Sequence, residues 1–239
     1  IKAARQLFLV HGVGGNLATF YPLASAIHAA VAEAAHEPIK VYGLHTTSVD
    51  SPVMASLDDM VECYIEEIRA VQPSGPYLIG GWSFGVTVAA MIAQALTERG
   101  ERVSGFLSID AQAPRAHADF VAYLEQNGIG SPSDLYADTH FHTALQRFGR
   151  HFGFKDTTPD GIKDKLHTFL GYPAASCTKE RDDRNMVAVT NLFNAALARP
   201  VPFAVENALL LRASEGWFDD YEESWAAQLT AANLRHEEV

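Results

Sequence analysis

The sequence predicts an α/β fold with a mostly parallel central sheet flanked by helices. Short apolar runs of strand length alternate with longer stretches of helical periodicity, the rhythm of βαβ units. The 239 residues, 48% of them apolar, suffice for the core of a single domain. Charge narrows the partners: 18 basic against 29 acidic residues leave a net −11. That is the wrong sign for a nucleic-acid surface, which needs clustered Lys and Arg. No apolar run approaches the roughly 20 residues of a membrane span, and no signal-like segment opens the chain. Cys63 and Cys177 are too few for a disulfide framework or a zinc site, so a reducing, cytoplasmic setting is the default expectation. Both ends read as cut, with Ile1 in place of an initiator Met and nothing closing the fold after Val239. The expectation is one domain over 1–239, taken from a longer polypeptide.

Taken in order, strands are predicted over Gln6–Val10, Ile39–Leu44, Tyr77–Gly81, Gly105–Asp110, Ala208–Arg212 and Leu234–Val239. Ser56–Gln72 reads as an amphipathic helix, because Met60, Val61, Tyr64, Ile65, Ile68 and Val71 recur on one face, and Ser56 with Asp59 suits its start. Val86–Leu96 is apolar nearly all round and reads as a helix buried beside the sheet. From about Pro114 to Pro200 the rhythm breaks. No strand is predicted there, only helical stretches punctuated by Gly130-Ser-Pro132, Thr158-Pro159 and Gly171-Tyr-Pro173. So long a link between two strands predicts a helical insertion over one sheet edge, residues 115–199. Mobility is expected of it, with Phe120, Leu124, Phe141, Leu145, Phe148, Phe152, Leu166, Phe169, Leu192 and Phe193 packing on the core or lining a channel.

Chemistry enters at Gly81-Trp82-Ser83-Phe84-Gly85, between an apolar strand and the buried helix. Strand, GxSxG and helix in that order are the context of a nucleophile elbow. The turn strains the serine backbone and excludes neighbouring side chains, a need Gly81 and Gly85 meet. The plainer reading is a glycine-rich turn with an incidental serine, and the flanking elements disfavour it. A nucleophilic hydroxyl also needs a base, an orienting acid and an oxyanion hole. The loop His11-Gly-Val-Gly-Gly15 follows the first strand and can aim backbone N–H groups at a developing oxyanion. Val13 is the candidate for one donor and Phe84, after the serine, for the other. Phosphate cradling is the alternative for this loop, but it lacks GxGxxG spacing and a Walker lysine. For the acid, Asp110 ends the strand after the elbow, while Asp219 and Asp220 follow a later strand and remain rivals. A helix or turn cap is the plain reading of Asp110.

The base is harder to place. His11 lies in the oxyanion loop, His28 and His36 in the first helical region, and His45 after a strand but before Ser83. His117, His140, His142, His151 and His167 fall in the insertion, and His236 lies inside the last strand. Order in a triad of this type puts His last. His140-Phe-His142 hints at a metal, but no further ligand cluster accompanies it.

These motifs carry a resemblance. Gly75-Pro-Tyr-Leu-Ile-Gly-Gly-Trp-Ser-Phe-Gly85, a helix ending Gln94-Ala-Leu, and Phe106-Leu-Ser-Ile-Asp110-Ala-Gln-Ala-Pro114 resemble the thioesterase domains that end nonribosomal peptide synthetases and polyketide synthases. Leu7-Phe-Leu-Val-His-Gly-Val-Gly-Gly15 with Tyr21-Pro-Leu-Ala24 is similar to that family's opening motif. The match is good over about residues 7–114 and loose over Ala208–Val239, and the insertion corresponds in placement to the family's variable helical lid. The resemblance implies an α/β-hydrolase in which Ser83 accepts an acyl or peptidyl chain from a carrier protein, with Asp110 as triad acid. Hydrolysis or macrocyclisation would follow. It implies no cofactor of the domain's own, since the phosphopantetheine arm belongs to an upstream carrier domain of the same polypeptide. The sequence departs from the family at Val86, where a second Gly is common, and at its end. The family's His follows the last strand and a short turn, so the base is expected just beyond residue 239. A free-standing editing thioesterase, a lipase-like esterase and a non-catalytic binding module are the alternatives.

Overall fold

The strands are β1 Arg5–Val10, β2 Ile39–Leu44, β3 Tyr77–Trp82, β4 Val103–Ile109, β5 Phe203–Arg212 and β6 Leu229–Glu238. They form one sheet in the order β2-β1-β3-β4-β5-β6, every neighbouring pair parallel. The computed structural model describes residues 5–18, 20–34, 37–46, 56–115, 118–138, 177–212 and 221–238, with a few single positions between 158 and 175. The order places the site. From β1 the chain winds outward to β2 and then returns past β1 to build β3 and everything after it. The winding direction reverses between β1 and β3, which opens a crevice outside their carboxyl ends. Those ends lead into His11–Gly15 and Ser83.

Helix α1, Phe20–Glu33, packs along β2, and α2, Leu57–Val71, packs against α3, Phe84–Glu98. The amphipathic prediction for α2 holds except at its last residue: Met60, Val61, Tyr64, Ile65 and Ile68 are buried, each apolar side chain contributing about 1.5–3 kcal/mol, while Val71 at the helix end is exposed. Ser56 caps the helix, its hydroxyl accepting from the Asp59 N–H at 3.1 Å, and Asp58 and Asp59 complement the positive helix start. Helix α3 lies across β1, β3, β4 and β5, with Val86, Val88, Ala89, Ala90, Ile92, Ala93 and Leu96 all buried.

β1 and β4 start one and two residues earlier than the sequence predicts, at Arg5 and Val103, and β5 and β6 start five residues earlier. β5 begins at Phe203 rather than Ala208, because Phe203 and Val205 are buried while Ala204 between them is exposed, an alternation too short to show as an apolar run. β6 begins at Leu229 rather than Leu234. Thr230–Asn233 carry no apolar signal, and the ladder to β5, from Phe203↔Leu229 to Arg212↔Glu238, makes them a strand. Across 115–199 the described residues hold helices and no strand: α4 Ala118–Gln126, α5 Pro132–Ala137 and α6 Thr178–Ala196. Leu124, Ile129, Leu135, Val189 and Phe193 form a cluster apart from the main core, with Phe120 packed on it, while Leu192 is exposed. Phe141, Leu145, Phe148, Phe152, Leu166 and Phe169 lie outside the described residues. A short helix without a counterpart in the sequence prediction, α7 Tyr221–Ala226, precedes β6.

Candidate active site

Ser83 occupies the turn between β3 and α3 with φ 52° and ψ −122°. A non-glycine residue with that backbone is strained by on the order of 1–3 kcal/mol. The turn persists because its surroundings fix it. The Ser83 N–H donates to the Ile109 carbonyl at 3.0 Å, and the Ser83 carbonyl accepts from the Val86 N–H at 3.0 Å. The flanking glycines are obligatory here. A Cβ on Gly81 would lie 2.3 Å from the Gly85 backbone, and one on Gly85 would lie 2.3 Å from the carbonyl oxygens of Val10 and His11. Val86 is fully buried in the helix, so its departure from the family's glycine is accommodated by core packing.

Asp110 stands beside Ser83. Trp82 and Ile109 are partners in the β3–β4 ladder, so the two residues leave adjacent strands at the same level. Asp110 also has positive φ, 51°, and its N–H donates to the Leu211 carbonyl at 2.8 Å. Among the described residues, Ser83 and Asp110 are the two non-glycine positions with positive φ. The chain beyond Asp110 is tied down from α7: Trp225 Nε1 donates to the Ala111 carbonyl at 3.1 Å, and the Ser224 hydroxyl accepts from the Ala113 N–H at 3.2 Å. Trp225 is completely buried against Phe106. Asp219 and Asp220, the rival acids, lie outside the described residues.

The loop after β1 is a tight turn in which the Gly15 N–H donates to the Gly12 carbonyl at 3.0 Å, leaving Val13 and Gly14 at its corners. Gly12 lies against the Trp82 indole, where a Cβ would approach within 2.6 Å. His11 is buried beneath the turn. Its Nδ1–H donates to the Gly12 carbonyl, so Nε2 accepts from the Tyr64 hydroxyl at 2.7 Å. The imidazole stacks on Phe84 with ring centres 5.7 Å apart. This arrangement aims the turn: a trans peptide is planar, so holding the Gly12 carbonyl from below points the Val13 N–H the opposite way. Burial lowers the His11 pKa to about 4, partly offset by the bond to Gly12 and with His45 adding a smaller lowering, so the ring is neutral. Burial likewise pushes the Tyr64 hydroxyl well above its ordinary value. His11 is therefore an anchor for the loop; both its nitrogens are already engaged.

The other described histidines do not converge on Ser83. His28 bonds the Ile39 carbonyl at the amino-terminal edge of the sheet, opposite the elbow. His45 is exposed just past β2, two strands from β3, and His167 is buried in the insertion. His236 pairs in register with Leu210, which pairs with Ser108, and Ser108 pairs with Gly81. At about 4.8 Å per strand it sits roughly 14 Å across the sheet from β3 and short of the carboxyl edge. His36, His117, His140, His142 and His151 lie outside the described residues. Among the described residues no His/Cys/Asp/Glu group could hold a metal, and no helix is long and apolar enough to cross a membrane. Tyr64, Trp225 and Ser224 support the site without any signal of that role in the sequence. Tyr64 is legible there only as core, and nothing near Trp225 marks it as a partner of the segment after β4.

A parallel sheet with a strained serine between strand and helix at its switch point defines the α/β-hydrolase class. The chain belongs to the thioesterase domain family, whose model matches residues 5–171; its members are hydrolytic acyl thioesterases. It is 40% identical over 134 residues to the non-reducing polyketide synthase ntnG of Nectria sp., covering 55% of this chain and 6% of that protein. The chain thus spans a small fraction of the curated relatives it matches. In fold it is similar to the NocB thioesterase domain in covalent complex with a fluorophosphonate nocardicin G analogue, with TM-score 0.61 and 21% identity over 100% of this chain and 84% of that one. It is also similar in fold to the type II thioesterase BorB of the borrelidin cluster, with TM-score 0.63 and 14% identity over 100% and 85%.

Proposed function

We propose that this domain releases a polyketide or peptide chain from the phosphopantetheine arm of a carrier domain in the same polypeptide. Ser83 Oγ attacks the thioester carbonyl and gives up its proton to an imidazole. The C–S bond then breaks, and the carrier thiol leaves with that proton. The oxyanion between these events is held by the N–H groups of Val13 and Phe84, the former at a turn corner and the latter at the start of α3, where the helix dipole adds to it. Asp110 orients the imidazole, which the chain following β6 would supply because β6 runs toward this same edge. Water or an internal hydroxyl or amine of the acyl chain then discharges the ester, giving an acid or a macrocycle. Nothing in these steps calls on a metal or organic cofactor of the domain.

One observation carries the reading: the strained non-glycine residues, Ser83 and Asp110, stand side by side at the switch point. Strain that a fold keeps at two adjacent polar residues marks a functional site. The match to part of a long polyketide synthase supports release from an assembly line over a free-standing editing role. The test is turnover of acyl thioesters of a pantetheine mimic by the natural polypeptide. Ser83→Ala should abolish turnover, and Asp110→Asn should lower it on the order of 10⁴-fold. Turnover undiminished in Ser83→Ala would refute the assignment, and no turnover by the wild type would favour a binding module.

A further inference from the structure

The Val13 N–H belongs to the Gly12–Val13 peptide, so whatever directs the Gly12 carbonyl also directs that N–H. The carbonyl accepts twice, from the Gly15 N–H at 3.0 Å and from His11 Nδ1. The Gly15 donor belongs to the turn and travels with it. The His11 ring joins the turn to the body of the domain, because its Nε2 lies 2.7 Å from the Tyr64 hydroxyl on α2, 53 residues away. The protons run one way along this chain. A carbonyl oxygen can only accept, so the single N–H of the neutral imidazole is on Nδ1, and Nε2 presents a lone pair. His11 and Tyr64 are both fully buried, so that lone pair needs a donor from the protein. The Tyr64 hydroxyl supplies it, and burial keeps the hydroxyl protonated. Next in reach is the Thr46 hydroxyl, 3.4 Å from Nε2. The imidazole also stacks on Phe84, so one ring touches both residues read as oxyanion donors.

Resting on the reading of Val13 as an oxyanion donor, we propose that Tyr64 is a positioning residue for acyl transfer: its hydroxyl fixes the His11 imidazole, which aims the Gly12–Val13 peptide and with it the Val13 N–H. Without that hydroxyl, Nε2 is left buried with no donor at normal distance, the costly way to lose a hydrogen bond. The ring then gains by turning toward Thr46, and any such turn draws Nδ1–H off the Gly12 carbonyl. The peptide is planar, so the Val13 N–H tilts by as much as the carbonyl does. Oxyanion donors act over a narrow range, about 2.7–3.1 Å from the developing charge, so the tilt is felt in the transition state and little in the bound substrate. The far side of the turn is tied separately: the Thr46 N–H donates to the Gly15 carbonyl at 3.1 Å, and the Asn191 amide to the Val13 carbonyl at 2.9 Å. Those bonds keep the loop in place while the Gly12–Val13 peptide loses its aim.

The test compares Tyr64→Phe, His11→Gln and the double variant in the natural polypeptide, with Ile68→Val, a core truncation on the same helix face, as the control. Removing a direct oxyanion donor costs about 10²–10³ in kcat, so loosening one should cost less, roughly 10- to 100-fold in Tyr64→Phe. KM should change little, and the inhibition constant of an alkylboronic acid, whose tetrahedral oxygen occupies the same hole, should rise by the same factor as kcat falls. Ile68→Val should match wild type in both. Because Tyr64 acts through the imidazole, adding Tyr64→Phe to His11→Gln should lower kcat no further than about twofold. Wild-type kcat and boronate affinity in Tyr64→Phe would overturn the proposal, as would a loss confined to KM or a full additional loss in the double variant. If Tyr64→Phe does not fold, nitrogen NMR of the wild-type His11 ring carries the test: a proton on Nδ1 with Nε2 accepting is required, and a proton on Nε2 overturns the proposal. Ser83→Ala is the separating arm. If it retains turnover the acyl-enzyme reading fails, whereas loss in Ser83→Ala beside full activity in Tyr64→Phe sinks this inference alone.

Discussion

Buried, neutral His11 makes stability depend on pH in a defined direction. Its pKa is about 4 in the folded chain against 6.5 when exposed, so between those values the unfolded chain binds the extra proton. Stability from this group is complete above about pH 6.5, falls as the pH drops, and levels off below about pH 4. One pKa unit corresponds to about 1.4 kcal/mol, so the full loss is about 3 kcal/mol, and about 2 kcal/mol of it appears between pH 7.5 and pH 5. The perturbation is His11→Gln, which keeps a donor for the Gly12 carbonyl and cannot titrate. Urea unfolding at both pH values, wild type against variant, subtracts the contributions of every other carboxyl and imidazole. The wild type should lose about 2 kcal/mol more than the variant on going to pH 5. Equal losses would show that His11 is not held neutral and that its bonds to Gly12 and Tyr64 do not anchor the loop. If His11→Gln is too unstable to compare, the His11 imidazole titration followed by NMR decides the same question: a midpoint near 6.5 refutes the reasoning.

Gly85→Ala should be destabilised by about 2 kcal/mol or more or fail to fold, since its Cβ meets two backbone oxygens at 2.3 Å. Gly100→Ala, where the space is open but φ is 79°, should lose only about 1 kcal/mol; comparable unfolding midpoints for the two would contradict the elbow geometry. Trp225→Phe removes the donor to the Ala111 carbonyl and should cost about 1–3 kcal/mol in denaturant unfolding, with a fall in kcat because the segment after Asp110 loosens. Ser56→Ala should cost about 1 kcal/mol through the lost cap on α2, read by thermal melting, and leave turnover unchanged.

The strand–turn–helix path through Ser83 is legible in the sequence because it is local: an apolar run, two glycines and an apolar helix are contiguous, and local sterics decide the turn. Asp110 is legible by position, but its strained backbone is not, since that depends on the hydrogen bond to Leu211 from a strand about 100 residues later. The early starts of β5 and β6 are hidden for a related reason. Pairing makes those residues strands, and their own propensities are silent. His11 can be seen in the loop, yet its partner Tyr64 sits 53 residues away on α2, and periodicity reports only that Tyr64 faces the core. Asn191, whose Nδ2 donates to the Val13 carbonyl at 2.9 Å, gives no signal at all. A polar residue on a helix of mixed character reads as solvated until the helix is docked.

The central claim, that Ser83 is the nucleophile of this thioesterase domain, is tested most directly by peptide mapping after treatment with an alkyl fluorophosphonate. The natural polypeptide should gain one phosphonate, carried on the peptide containing Gly81-Trp82-Ser83-Phe84-Gly85, and Ser83→Ala should gain none. A phosphonate on any other residue of the domain, or equal labelling of Ser83→Ala, would contradict it.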